Sequence, residues 1–476
     1  PLRHNLLFIA FCALSEAKGM DIKMEFTDNF LWGSSTNAQQ FEGAWNEGGK
    51  GLSIADVRKI PDMPDEADFD KFKTASDHYH HMEEDIALYG EMGFKAYRFT
   101  ISWPRIFPNG NDEKPNEEGL LFYERMLTEL ERYKITPVVT LYAYDLPLHL
   151  LEEYNGWMSR QCVTDYLRYA ETVVTRFKGR IKYYIPFNEQ NFLLMDSEYM
   201  TGYKAKNALE VFRMEHHFNL AYAKVTGMIH QLDKNARVGG NLGTTCLYPK
   251  TCNPADVEAC DKLLYRMFYD FGDIYFRKVY TARYMKHVEE YDISEILFDG
   301  DAAIIAASEP DFISTTYYFS SGISSDENLL EKPMNGLKSG NPYCESNEWG
   351  WSVDPYGFKH YLTDLYHRYR MPILILENGL GHRDVLENGL VQDDYRIDYL
   401  KKHILRMEEA IDEGVEIIGY LTWSATDLYS TREGFEKRYG FVYVDQNSPD
   451  MKRYPKKSFY WYKNVITTNG ACLKEA

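Results

Sequence analysis

Eight short apolar runs rich in β-branched and aromatic residues recur along this 476-residue chain, and segments of helical period separate them. The runs are Phe30–Gly33, Ala96–Ile101, Pro137–Leu141, Tyr183–Phe187, Arg237–Gly240, Phe312–Thr316, Ile373–Leu376 and Ile417–Thr422. Between them, Met82, Ile86, Tyr89 and Met92 share one helical face before a stop at Gly93, and further helices are expected from Val163 to Phe177 and from Asp393 to Glu413. Strand and helix in alternation build a parallel sheet, because parallel neighbours need a crossover between them. Eight such units over this length favour a closed (β/α)₈ barrel of the TIM type with elaborated βα loops. An open doubly wound sheet is the weaker reading, since no glycine-rich phosphate loop follows the first strand. No repeat, linker or low-complexity block divides residues 20–476, which are read as a single catalytic domain; the acidic stretch Pro61–Asp70 is read as a surface loop.

Residues 1–19 stand apart. Leu6–Leu14 is apolar but too short to span a bilayer, and Met20 is a natural start, so the segment is read as an appended or upstream-translated leader rather than a targeting signal. A formal net charge of −19 argues against nucleic-acid and anionic-membrane partners. Seven cysteines (Cys12, Cys162, Cys246, Cys252, Cys260, Cys344, Cys472) show no metal-ligand spacing, which fits free thiols in a reducing compartment, the cytoplasm, and calls for neither metal nor other cofactor. Nothing in the sequence opposes a homo-oligomer.

A barrel directs attention to the C-terminal strand ends, where Arg98, Asn188, Glu189, Tyr317, Glu377 and Trp423 all fall. Glu189 and Glu377 each close an apolar run, and a carboxylate there is costly unless it has partners or a task. Two such carboxylates, held about 5–5.5 Å apart, are the equipment for retaining cleavage of a glycosidic bond. Arg98 is expected to hold Glu377 ionised and Tyr317 to donate a hydrogen bond to it. Glu189, between the neutral Asn188 and Gln190, is expected to keep a raised pKa, as a general acid requires. Asn188 is suited to the sugar 2-hydroxyl. Aromatic residues make up 15% of the chain, which suits a site where rings stack on sugar C–H faces.

The segments Phe30-Leu31-Trp32-Gly33, Gln40-Phe41-Glu42-Gly43, Tyr97-Arg98-Phe99-Thr100-Ile101-Ser102-Trp103-Pro104-Arg105, Phe187-Asn188-Glu189, Glu377-Asn378-Gly379 and Lys437-Arg438-Tyr439-Gly440 occur in this order. On them the chain resembles glycoside hydrolase family 1 from about Phe26 onward. The resemblance implies a (β/α)₈ barrel that hydrolyses β-glycosides with retention and without metal, with Glu189 as acid/base and Glu377 as nucleophile. It also implies Gln40 as a sugar contact and Trp423 as the platform under the ring.

Where ordinary β-glucosidases of the family carry a glutamate and a tryptophan for the sugar 4- and 6-hydroxyls, this chain has Ser430 and Thr431, followed by Lys437 and Tyr439. That pattern resembles the 6-phospho-β-glucosidase branch, with Ser430, Lys437 and Tyr439 on the phosphate. A carboxylate about 4 Å from a phosphate charge would cost roughly 4 kcal/mol at an effective dielectric near 20; serine removes that repulsion. Glu433 and Glu436 oppose this reading unless they point outward. The small Thr431 favours 6-phosphoglucosides over 6-phosphogalactosides, with dual activity the neighbouring alternative. Asn347-Glu348-Trp349-Gly350-Trp351 resembles the same branch, and Trp349 is expected at the substrate, on its aglycone side. One departure stands out: Ala143 replaces the histidine that contacts the sugar 3-hydroxyl, so either Tyr144 or water substitutes, or affinity is lower, or the sugar differs. The expected partner is a small phosphorylated β-glycoside. The competing readings are an ordinary β-glucosidase and a non-catalytic glycan-binding barrel.

Overall fold

A computed structural model describes residues 26–58, 73–291, 297–326 and 340–474; the leader, Cys12 and the Pro61–Asp70 loop lie outside the described residues. Eight parallel strands close on themselves in sequence order, and β1 pairs with β8 to complete the ring. They are β1 (Leu31–Ser35), β2 (Ala96–Thr100), β3 (Thr136–Thr140), β4 (Tyr183–Ile185), β5 (Arg237–Pro249), β6 (Phe312–Ile323), β7 (Ile373–Asn378) and β8 (Ile417–Trp423). Each apolar run named above overlaps one of these strands, with ends that differ by one to several residues.

The period-two pleat sorts each strand's side chains between two environments. One set (Ala96, Val138, Ile185, Phe312, Leu374, Leu376 and Leu421) packs together inside the barrel. The opposite set joins the larger core under the helices, with Tyr97, Phe99, Val139, Ile313, Ile373 and Ile375 buried there. The helix with the Gly93 stop is α1 (His78–Met92), and Gly93 ends it with φ +80°. Around the barrel follow α2 (Glu117–Arg132), α3 (Gln161–Arg176), α4 (Ala208–Leu232), α5 (Pro355–Tyr369), α6 (Asp394–Asp412) and α7 (Lys457–Thr467). The last of these is tied to the barrel by Tyr462, whose hydroxyl donates to the carbonyl of Gly33 (3.0 Å).

Two departures from regular geometry position the site. β5 and β6 stay paired well beyond the barrel wall, to Pro249 opposite Ile323. The second is a bulge in β7: Thr315 faces Ile375, but the next residue, Thr316, faces Glu377. Leu376 is therefore an extra residue, which lets it fill the barrel while Glu377 turns into the mouth above it.

Candidate active site

Glu189 follows β4 in the left-handed region, φ +43° and ψ 40°, a conformation uncommon for a residue with a side chain. Neighbours on β5 hold it there. The Glu189 backbone N–H donates to Asn241 Oδ1 (2.6 Å). Asn191 grips Gly243 through both its backbone groups, at 2.7 and 2.9 Å. Gly243 has to lack a side chain: a Cβ there would lie 2.8 Å from Glu189 Cβ. The Glu189 carboxylate accepts from Tyr144 Oη (2.8 Å) and from Thr316 Oγ1 (2.5 Å). Both partners are neutral hydroxyls.

Glu377 has a different setting. Its Oε1 accepts from Arg98 Nη1 (2.8 Å) and its Oε2 from Tyr318 Oη (2.6 Å). Arg98 is fully buried and spends its other donors on Asn188 Oδ1 (2.6 Å) and Thr140 Oγ1 (2.8 Å). One guanidinium thus ties Glu377 to the residue beside Glu189. Tyr317, expected as the donor to Glu377, points the other way. Its hydroxyl donates to the Asp354 carbonyl (2.8 Å), and its ring packs on Phe358, Tyr361 and His403 of α5 and α6. The pleat explains the correction: Thr316 and Tyr318, two apart on β6, face the mouth, so Tyr317 cannot.

Burial raises both carboxyls above their ordinary values, and for Glu377 the charge of Glu189 adds to the effect. Two close carboxyls under these conditions retain one proton between them and titrate as a pair. Arg98 and Tyr318 oppose the rise at Glu377. The ion pair at 2.8 Å favours the charged form of Glu377, whereas Glu189 is met only by neutral hydroxyls.

The residues expected at the sugar gather beside this pair. Trp423 ends β8 and packs with Phe41, Leu428 and Tyr439. Gln40 donates to the Tyr429 carbonyl (2.9 Å) and approaches Thr431 Oγ1 (3.5 Å). Ala143 contributes its carbonyl to Gln39 (2.9 Å), and Tyr144, with φ +64°, directs its hydroxyl to Glu189. Tyr199, unremarked in the sequence, packs on Tyr144 (5.1 Å between ring centroids) and lies 3.2 Å from Thr431 Oγ1 through its hydroxyl. Arg58 staples the two tyrosines by donating to both their backbone carbonyls.

Ser430, Lys437 and Tyr439 lie next to this group. The Lys437 side chain is 1% exposed; its ammonium sits 3.7 Å from the Trp351 ring centroid and 5.1 and 5.8 Å from those of Trp349 and Tyr439. Tyr439 is in turn 6.4 Å from Tyr318, the donor to Glu377. Burial pulls the Lys437 pKa down to about 8. Trp349, expected on the aglycone side, is instead a wall of this Lys437 pocket, because its indole N–H is bound to the Gly381 carbonyl (3.1 Å) and its ring is held under Arg383. Glu436 does point outward, toward Arg383 at 3.5 Å, with a side chain 72% exposed. Glu433 does not: it accepts from Ser430 Oγ (2.9 Å) and lies 3.5 Å from Lys437 Nζ. Arg438, adjacent to Lys437, turns away to Asp427 (2.8 Å), which also holds the buried Lys456 (2.6 Å) and anchors the segment.

Among the described residues no group of three or more His, Cys, Asp or Glu is placed to hold a metal, and no helix is long and apolar enough to cross a membrane. Comparison with known proteins agrees with the barrel architecture. The family model for glycosyl hydrolase family 1 matches residues 22–471. A 6-phospho-beta-glucosidase of Clostridium longisporum is 42% identical, over 96% of this chain and 100% of the relative. Aryl-phospho-beta-D-glucosidase BglH of Bacillus subtilis is 41% identical, over 94% and 98%. A family 1 b-glucosidase from Thermotoga maritima superposes with TM-score 0.83 at 30% identity, over 94% of this chain and 98% of that one.

Proposed function

Because the chain belongs to glycosyl hydrolase family 1, we propose that it hydrolyses 6-phospho-β-D-glucosides with retention, using Glu377 as nucleophile and Glu189 as acid/base. The observation that carries the phosphate assignment is Lys437. A buried ammonium is expensive without an anion; the carboxylate at this one, Glu433 at 3.5 Å, links it to the Ser430 hydroxyl and is itself partly open to solvent, so the pair of cation and hydroxyl suits an incoming phosphate. The names of the relatives, phospho-β-glucosidases from two bacteria, support the same substrate class.

The charged Glu377 attacks the anomeric carbon while Glu189 passes its proton to the leaving oxygen. Arg98 keeps Glu377 ionised and, through Asn188, fixes the side chain suited to the sugar 2-hydroxyl. Once the aglycone departs, Glu189 is the base that takes a proton from water, and that water releases the sugar from Glu377. Trp423 supports the ring, and Gln40 and Tyr199 border its far side. Thr431, small and held by Tyr199, favours the gluco over the galacto epimer. Six cysteines among the described residues are unpaired, in keeping with a cytoplasmic enzyme.

Lys437→Ala is expected to raise KM for p-nitrophenyl-β-D-glucoside 6-phosphate by about 100-fold or more, the range for a buried charge-assisted contact, while changing KM for the unphosphorylated glucoside little. Equal effects on the two substrates would refute a phosphate role. A pH signature accompanies it. Lys437 loses its proton above about pH 8. The ratio of kcat/KM for phosphorylated over unphosphorylated substrate should therefore fall as pH rises through 8, and a flat ratio from pH 7 to 9.5 would contradict the assignment.

Tyr318 is a positioning residue for Glu377. A hydrogen bond to a charged group is worth about 1.5–3 kcal/mol, so Tyr318→Phe is expected to lower kcat roughly 10- to 150-fold. Tyr317→Phe, which removes a hydroxyl bound only to backbone, should leave kcat within about threefold while lowering the melting temperature.

A further inference from the structure

The Glu433 carboxylate stands on the ligands assigned to the phosphate. One oxygen accepts from Ser430 Oγ at 2.9 Å and the other lies 3.5 Å from Lys437 Nζ. Backbone geometry keeps it there: Ser430 and Gly434 exchange N–H···O bonds at 3.1 and 2.9 Å, closing a tight turn that carries Glu433, and Gly434 supplies the positive φ of 59°. The two ends of the contact differ in freedom. The Lys437 side chain is 1% exposed and that of Glu433 is 28% exposed, so the carboxylate has a route to solvent that the ammonium lacks.

Other charges near the ammonium do not replace this contact. Glu348 is committed to Arg383, with Oε2 at 2.6 Å from its guanidinium, and Glu436 faces the same arginine from outside. Arg432 adds a positive charge beside Lys437. A phosphate dianion and a carboxylate cannot share one ammonium and one serine hydroxyl without like-charge repulsion.

We propose that Glu433 is a specificity-determining residue: an internal anion that occupies Ser430 and Lys437, and that the substrate's 6-phosphate displaces toward solvent. The proposal rests on the phosphate reading above. It makes Glu433 a brake on phosphate affinity, since every phosphorylated substrate has to break the Ser430–Glu433–Lys437 contact, and an unphosphorylated glucoside does not.

The test compares wild type, Glu433→Gln, Glu433→Ala and Lys437→Ala on p-nitrophenyl-β-D-glucoside and its 6-phosphate, with inorganic phosphate as inhibitor. Both Glu433 variants should raise the ratio of kcat/KM for phosphorylated over unphosphorylated substrate about tenfold and lower the inhibition constant of inorganic phosphate by a similar factor. A ratio that stays level or falls in both would show that Glu433 orients Lys437 rather than competes with the phosphate, and would overturn the inference alone. A wild-type enzyme with no preference for the 6-phosphate, and a Lys437→Ala variant that leaves both substrates alike, would overturn the phosphate reading and this inference with it.

Discussion

Glu377→Ala is expected to lower kcat by at least about ten-thousandfold, because it removes the atom that forms the glycosyl–enzyme bond rather than one that assists it. The substitution also strands Arg98, which is fully buried and loses its charge partner. Breaking a buried pair from one side costs about 3–5 kcal/mol, so reduced thermal stability should accompany the lost turnover. Glu377→Gln separates the two effects: the amide oxygen still accepts from the guanidinium, so stability should largely return while turnover does not. The space vacated in Glu377→Ala gives a small anion such as azide access to the anomeric carbon. Azide should therefore restore turnover and yield a glycosyl azide of inverted configuration. Activity that survives the substitution without added anion would show that Glu377 is not the nucleophile.

Glu189→Gln is expected to have the second largest effect, about 10²–10⁴-fold on substrates whose leaving group needs a proton. The loss should shrink when the leaving group is a nitrophenol, which departs without help. In the pH profile, Glu189 must be protonated for attack, and burial raises its pKa. Activity in the wild type should then decline as pH rises through that value, and the alkaline limb in kcat/KM should disappear in Glu189→Gln. Equal losses for all leaving groups would contradict the role of Glu189 as acid.

Much of the architecture was legible because its determinants are local. Each barrel strand is largely buried and carries a short apolar stretch, so all eight were visible, and the residues at their C-terminal ends followed. What escaped depended on pairing across the sheet. The apolar run of β5 stops at Gly240, but the strand continues through Asn241 and Gly243, whose work is to seat Glu189, which only the partner loop reveals. The choice between Tyr317 and Tyr318 turns on the phase of the β6 pleat, which sends Thr316 and Tyr318 to the mouth and Tyr317 to the helices. The bulge at Leu376, by contrast, has no local signature. Glu433 was noted as a threat to the phosphate pocket, but whether it faced in or out depended on the turn closed by Ser430 and Gly434. Tyr199 lies far in sequence from Thr431 and Tyr144 and carried no signal of its own.

Beside Ala143, which stands where the family histidine is expected, Tyr144 and Tyr199 are locked together by Arg58 and bring two hydroxyls to the mouth. One of them already donates to Glu189. On the proposed function, recognition then leans on the end of the site where Lys437 is buried.

That dependence makes one comparison decisive: kcat/KM of the wild-type protein at pH 7 on p-nitrophenyl-β-D-glucoside 6-phosphate against the unphosphorylated glucoside. A charge-assisted phosphate contact should favour the phosphorylated substrate by at least about 100-fold. Equal rates, or faster hydrolysis of the unphosphorylated glucoside, would contradict the account.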